Sequence, residues 1–566
     1  MRVLAILVVA LSLIAVAQQS KPTTPEPSAK RIAEPPAKVM NHVDPEKIRA
    51  HVRFLAHDLL EGRGPGQRGS RIAAEYIATQ FALYGLEPAG DNGKYMQKVP
   101  LVNVRTLPES RFALTTSAGE MVLRGGEDYV ANNQTLTADA QINAPIVFVG
   151  YGINAPEYNW NDYEGVDVKG KVVLMFVNEP PSPLPATDDK LFKGKALTYY
   201  GRWIYKYEEA ARQGAVAAIL IHQTEMASYP WTVLSRGWGG EQAYLRDDPR
   251  PKLAAAGWIT FDVARKLFAA SGLSIDKAMD QIRNPGFRAF PMNASLNARL
   301  VSAVRSYDGQ NITARLKGSD PKRANEAVLY TAHYDHFGIQ RDRAGDQIFN
   351  GAIDNATGCG MLLEVARIYS QGSPPARSII FSAVDAEEQG LLGSRYLAEH
   401  PPIPVQNIVL NLNFEGLFIM PVGVPEELEV SGAERTSFYP EVQKTARDFG
   451  MTIRPDPVPE AGYYYRSDHF SLARVGVPAF SVASGSKFVG HDASWGEAQA
   501  REFVTQRYHQ PTDEYRPAMD FRANARVADV AYVLGLSAAQ QPEHIDWNKG
   551  DEFEAARMKS QQHQQH

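Results

Sequence analysis

The sequence predicts an α/β protein: a mostly parallel mixed sheet flanked by helices, carrying a second, smaller α/β module inserted into it. Three observations lead there. Apolar strand-like runs alternate with amphipathic helical runs from about residue 301 to residue 540, a pattern that puts strands side by side with helices on both faces. A shorter strand–helix–strand unit of its own occupies 131–300. The chain has 566 residues, too many for one ordinary hydrophobic core. Composition agrees, with 44% hydrophobic and 22% charged residues, as in globular proteins. A formal net charge of -5 gives no basic surface for nucleic acid or anionic membranes. A single cysteine, Cys359, excludes an intramolecular disulfide and reads as a small packed residue.

Taken in order, the chain opens on Met1-Arg2, an apolar run (VLAILVVALSLIAVA) and an Ala15-Val16-Ala17 exit. This is the layout of a signal peptide over 1–17, which predicts a secreted or periplasmic protein of bacterial type without stable membrane insertion after cleavage. An uncleaved anchor is the alternative. Residues 18–43 are rich in Pro, Lys, Glu and Thr and read as a disordered linker. From Asp44, PEKIRAHVRFLAHDLLEGR and RIAAEYIATQFALYG carry helical periodicity, with His51 and His57 expected on solvated faces. Strands follow in YMQKVPLVNV and RFALTTSAGEMVL. The inserted module then reads as PIVFVGYGI, KGKVVLMFV, the helix YKYEEAARQGA, VAAILIHQ and KLAAAGWITFDVARKLF. Its cluster SYPWTVLSRGWGGEQAY reads as a long loop walling a cleft. A first domain made of 44–130 and 301–540 therefore encloses the module at 131–300, and 541–566 reads as a polar, frayed tail whose His563 and His566 are assigned no role.

The chemistry-bearing residues fall at predicted strand ends, where α/β sheets place their ligands. AVLYTAHYDHFG delivers His333, Asp335 and His336, and GAIDNATG delivers Asp354 at a helix entrance. SAVDAEEQGLLGS delivers Asp385, Glu387 and Glu388; LNLNFEG delivers Glu415; RYHQPTDEY delivers Tyr508, His509 and Asp513. Imidazoles and carboxylates without thiolates suit zinc or another first-row divalent ion. A pair of ions needs one bridging carboxylate, and Asp354 is placed to bridge, with His333 and Glu415 on one ion and Glu388 and His509 on the other. Glu387 and Glu388 divide the labour: one binds metal while its neighbour faces the water. A Glu-Glu pair alone is accounted for by a helix N-terminus; four such strand ends together are not.

These five motifs resemble those of the co-catalytic zinc aminopeptidases of peptidase family M28, in order and approximate spacing. FLAHDLLEGRGPGQRGSRIAAEYIATQF is similar to the start of the same peptidase domain, and the inserted module resembles the protease-associated (PA) domain of many members. The resemblance implies a zinc-peptidase fold, peptide substrates and two Zn2+: His333, Asp354 and Glu415 on one, Asp354, Glu388 and His509 on the other. It implies Glu387 as general base, Asp335 as a residue orienting a ligand, Tyr508 as an oxyanion partner and Arg466, in RSDH, as a substrate contact. Glu415 departs from the Asp of many aminopeptidases. A glutamate-type carboxypeptidase and a glutaminyl cyclase-like enzyme are the enzymatic alternatives. A receptor on this scaffold is the non-catalytic one, although all five ligand positions and Glu387 hold competent side chains.

Overall fold

One strand, Phe290–Leu316, runs through both halves of the fold. Its first half pairs antiparallel with Asp139–Phe148 and Arg111–Thr116; its second half pairs antiparallel with Met96–Thr106 and Ser378–Val384. In the computed structural model the described residues are 43–180, 191–227, 229–341, 343–415 and 419–562. The expected signal peptide, the linker as far as residue 42, and His563 and His566 lie outside them. No helix among the described residues is long and apolar enough to cross a membrane.

On one side of that strand the sheet continues through Ser378–Val384, Ala327–His333, Ile408–Asn413 and Ala479–Ser481, all parallel to one another. Every residue of the first three is buried, so they read as continuous apolar runs rather than alternating ones. Helices cover both faces. Pro45–Leu55 starts on the Asp44 carboxylate, which accepts from the Glu46 N–H at 2.9 Å, and buries Ile48, Val52 and Leu55. Gly358–Gln371 is buried almost all round and is the central helix of this core. On the other side the sheet continues through Asp139–Phe148, Val172–Phe176, Ala217–His222 and Ala255–Thr260, parallel, with Tyr129–Asn132 antiparallel at the edge. This is a mixed α/β fold with a large, mostly parallel sheet, the fold class expected.

Four expectations change. The second core begins at Phe112 rather than 131, because Arg111–Thr116 pairs with the first half of the long strand. SYPWTVLSRGWGGEQAY is not one long loop. It forms a helix, Trp231–Arg236, and a strand, Gln242–Leu245, paired with Met96–Thr106, while Trp238 stacks on Tyr207. The tail is not frayed through its described length: Ile545, Trp547 and Phe553 are buried, and a helix, Glu554–Gln562, tucks in the Arg557 guanidinium. His51 is buried, not solvated, with Nδ1 2.8 Å from the Tyr76 hydroxyl. His57 is exposed and caps the turn after it, Nδ1 accepting from the Leu59 N–H.

Candidate metal centre

Parallel register brings the ligand-bearing loops to one level. His333 pairs with Val384, so the Asp385–Glu388 turn leaves the sheet beside His333. Thr331 pairs with Asn413, and the Phe414 N–H donates to the Thr331 carbonyl at 2.9 Å, which sets Glu415 alongside. Gly351 lets the fourth loop approach: its φ is +57°, and a Cβ there would meet the Asp354 carbonyl at 2.3 Å and the His336 ring at 2.7 Å.

The two oxygens of Asp354 face two different imidazoles. His333 Nε2 is 3.3 Å from Oδ1, and His509 Nε2 is 3.3 Å from Oδ2. His333 Nε2 is also 3.9 Å from Glu387 Oε2 and 3.9 Å from Glu415 Oε1, and His509 Nε2 is 3.2 Å from Glu388 Oε2. Edges of a tetrahedron with metal–ligand bonds of about 2 Å are roughly 3.3 Å, so these donors are spaced to share cations. His333 Nε2 is buried with no hydrogen-bond partner among the described residues, while its Nδ1 lies 3.3 Å from the Asp335 carbonyl. That leaves Nε2 as the free lone pair when Nδ1 carries the proton. Donor atoms of His333, Glu387 and Glu388, and those of His336, Asp354 and Glu388, each gather within 4.8 Å.

Electrostatics point the same way. Burial, and then the neighbouring Glu415, push Glu387 well above the usual carboxylate range; burial pushes Glu415 up to about 8. Burial works against a charged His509, yet Glu388 and Asp354 push it up to about 10. Burial likewise opposes ionised Asp354, but His333 and His509 hold it well below the usual range. So many carboxylates in one buried place are stable together only with added positive charge, which divalent ions provide. The residues fit the ions that the sequence implies.

Several further side chains support these residues, and of them only Asp335 was given a part by the sequence. His336 Nδ1 lies 2.6 Å from Glu388 Oε1, so a second imidazole fixes the other oxygen of that carboxylate. Asp335 accepts from the N–H groups of Glu387 and Glu388 at 3.0 and 3.3 Å; its carboxylate stands 3.7 Å from His333 Nδ1. It therefore shapes the Glu387-Glu388 turn more directly than it orients the imidazole. Asp513 accepts from the N–H groups of Ile353 and Asp354 at 3.0 Å, and Asp385 from that of Gln310 at 2.9 Å: both clamp backbone. Ser467 donates to Glu415 and accepts from Asn413 Nδ2 at 2.7 Å. Arg63, wholly buried, donates to the carbonyls of Tyr334, Asn350 and Gly351 and so ties two ligand loops together. Its one sequence signal is an Arg inside the glycine-rich turn LEGRGPG.

Tyr508 is partly exposed and stacks on His509, ring centroids 3.7 Å apart. Arg466 is exposed beside Ser467 and turned back on its own loop, donating to the Ala461 carbonyl at 2.9 Å over the Tyr463 ring. Cys359 is buried, its thiol 3.1 Å from the His333 carbonyl, and burial pushes it up to about 12, consistent with packing rather than nucleophilic use.

Among known proteins, the chain is 24% identical over 547 residues to the "Probable lipoprotein aminopeptidase LpqL" of Mycobacterium tuberculosis, covering 92% of this chain and 89% of that one. It is 23% identical over 474 residues to a "Glutamate carboxypeptidase 2 homolog" of Caenorhabditis briggsae, covering 73% of this chain and spanning 56% of that protein's length. It spans 60% of the length of a "Probable zinc metalloprotease" of Pyrenophora tritici-repentis, with 28% identity. Among solved structures, the aminopeptidase of Aneurinibacillus sp. strain AM-1 aligns at TM-score 0.49 and 18% identity over 91% of this chain and 98% of that one. The model of peptidase family M28 matches residues 311–534, the segment that holds all five candidate ligand positions, Glu387 and Tyr508.

Proposed function

We propose that this protein is an exported metallo-aminopeptidase that removes N-terminal residues from peptides. The observation that carries the reading is Asp354 held between two imidazoles, 3.3 Å from each through a different oxygen. We assign one zinc to His333, Asp354 and Glu415, and a second to Asp354, Glu388 and His509. When bound, the ions acidify water and polarise the scissile carbonyl. Glu387, buried beside these ligands and raised in pKa, takes the proton from the attacking water and returns it to the leaving amine. Asp335 holds the turn on which Glu387 stands, and the Tyr508 hydroxyl donates to the developing oxyanion from a ring stacked on His509. The free α-amine of a substrate finds carboxylates around the centre, which favours an exopeptidase. Export rests on the signal layout of 1–17, and the module inside 131–300 is assigned as a PA domain.

A second reading has its own observation. Arg202 of the inserted module has no ion pair among the described residues and lines one small cleft with Arg466, while burial and Arg466 hold its pKa down to about 10. Two arginines meeting there suit a substrate carboxylate, as a glutamate-type carboxypeptidase requires. Matched peptides, free and N-acetylated, incubated with zinc-loaded protein and read by mass spectrometry separate the two. The aminopeptidase reading expects single N-terminal losses from the free set, abolished in Glu387→Gln with zinc retained. C-terminal trimming of both sets would replace it with the carboxypeptidase, and bound zinc without cleavage would leave a cyclase or a receptor.

A further inference from the structure

A cavity of about 450 Å³ opens where the inserted module meets the first core, and none of the candidate metal-binding residues lines it. Its size is that of sites for small organic ligands. Leu197 contributes one wall from the module; Ile453, Pro459 and Tyr464 add apolar surface from the other side. The cations at its rim are already engaged. Arg435 binds Asp551 and Glu552 at 2.8 and 2.7 Å, and Lys193 lies 3.8 and 3.7 Å from the same two carboxylates. Arg454, the register partner of Glu429 on the neighbouring strand, reaches Glu497 at 3.5 Å. The acids are less satisfied. Glu429, Glu434 and Asp456 line the cavity together, and Glu429 Oε2 is buried with no hydrogen-bond partner among the described residues. Burial raises Glu429 to about 7, although the neighbouring Arg454 charge pulls it down.

We propose that this cavity is a second binding site, for a primary ammonium group on a short apolar stem, with Glu429 as its anchor. An unpaired carboxylate oxygen asks for a donor. The surrounding acids ask for positive charge, and the apolar walls ask for hydrocarbon, which a bare metal ion does not supply. A lysine-type side chain and a peptide amino terminus share this chemistry. The site does not depend on the peptidase reading.

The test is calorimetric titration of the zinc-loaded full chain, repeated after chelation, with Nα-acetyl-lysine (side-chain ammonium alone) and D-leucinamide (α-ammonium alone). Glutarate, 1,5-pentanediol and calcium serve as comparators. The expected result is sub-millimolar binding of one ammonium probe, kept after chelation, with the comparators at least tenfold weaker. The better of the two probes identifies the source of the amine. Glu429→Gln lowers affinity at least tenfold at unchanged melting temperature. Ala196→Trp, which fills the cavity from the module side, does the same, so the proposal survives if one variant misfolds. Glu387→Gln leaves the binding intact, separating this site from hydrolysis. Ammonium binding that needs zinc, that is equal in both cavity variants, that is matched by glutarate or calcium, or that is absent would overturn it.

Discussion

His336 stands next to the ligands without being one of the residues assigned to an ion, and its contribution is measurable. With Nδ1 2.6 Å from Glu388 Oε1, it fixes the carboxylate that His509 meets on the other oxygen. Partners of this kind are typically worth about 10–100-fold in metal affinity. His336→Ala is expected to weaken the zinc assigned to Asp354, Glu388 and His509 by that factor in a chelator competition, with His336→Gln recovering part of it. The residues gathered at the candidate centre were legible in the sequence because each is a chemically distinctive residue at the end of an apolar run. Arg63 was not, because its partners are main-chain carbonyls, that of Leu55 nearby and the others on loops some 270 residues and more away, which leave no trace in residue type. Nor was Glu179, buried in the second core with both oxygens taking the Thr198 N–H and hydroxyl. Burial raises it from 4.5 to about 8, so the folded state keeps a proton that the unfolded chain has lost. Stability attached to Glu179 is therefore full below pH 4.5 and declines up to about pH 8. Lys206 beside it, lowered from 10.5 to about 7 by burial, contributes in the opposite sense, with stability rising from pH 7 to 10.5. Glu179→Gln mimics the protonated acid and should stabilise the protein at pH 8 by on the order of 3 kcal/mol more than at pH 5, read from urea melts. Equal effects at both pH values would show that Glu179 is ionised in the fold.

At the scale of elements, alternation of apolar and amphipathic runs made the parallel strands and their helices readable, since burial on both faces leaves little else for such runs to be. The strand Phe290–Leu316 was not readable as one element. It passes from one core to the other, its exposed residues (Arg305 and Ser306 among them) interrupt the pattern, and its pairing partners are distant in sequence. The described tail was misread for a related reason: few apolar residues, Ile545, Trp547 and Phe553, suffice to dock it. How closely helix and sheet approach is set at Gly535, in the helix Arg522–Gln540. Tyr330, on the strand that ends at His333, donates its hydroxyl to the Ala531 carbonyl at 2.8 Å, and a Cβ at 535 would meet that hydroxyl at 1.7 Å. Alanine is favoured over glycine by about 1 kcal/mol in a helix, but overpacking a filled core costs about 1–3 kcal/mol. With contact this short and the tyrosine buried, the clash wins. Gly535→Ala should destabilise by roughly 2 kcal/mol in urea melts, and adding Tyr330→Phe should recover part of the loss by removing the clashing oxygen. A stabilised Gly535→Ala protein would mean that the helix moves freely on the sheet.

Across the whole molecule, the contacts that join the two cores include the shared sheet and a charged contact centred on Glu208. Glu208 stands on the second core's helix Trp203–Arg212 and meets Arg474 of the first core at 3.0 and 2.9 Å; it also takes the Tyr199 hydroxyl at 2.8 Å and Arg250 at 3.3 Å. Asp248 pairs with Arg395 across the same boundary. Arg474 ends a helix that begins at His469, two residues after the serine that holds Glu415, so this contact lies one short helix from the metal centre. Burial opposes a charge on Glu208, but Arg474 and then Arg250 outweigh it and hold the carboxyl below its ordinary value. A depressed carboxylate stabilises the fold above its unfolded pKa of 4.5 and loses that contribution as pH falls through the folded value. Charged hydrogen bonds of this kind are worth about 1.5–3 kcal/mol, so Glu208→Gln is expected to lower the melting temperature at pH 7 and to match the parent protein at low pH. The shape of the transition is the more informative part. Because Phe290–Leu316 hydrogen-bonds into both cores, losing the Glu208 contact should leave a single cooperative endotherm at lower temperature in calorimetry. Two resolved endotherms would instead mean that Glu208 and its arginines, not the continuous sheet, make the cores unfold together. In that case the second core would be free to shift against the first whenever this contact opens.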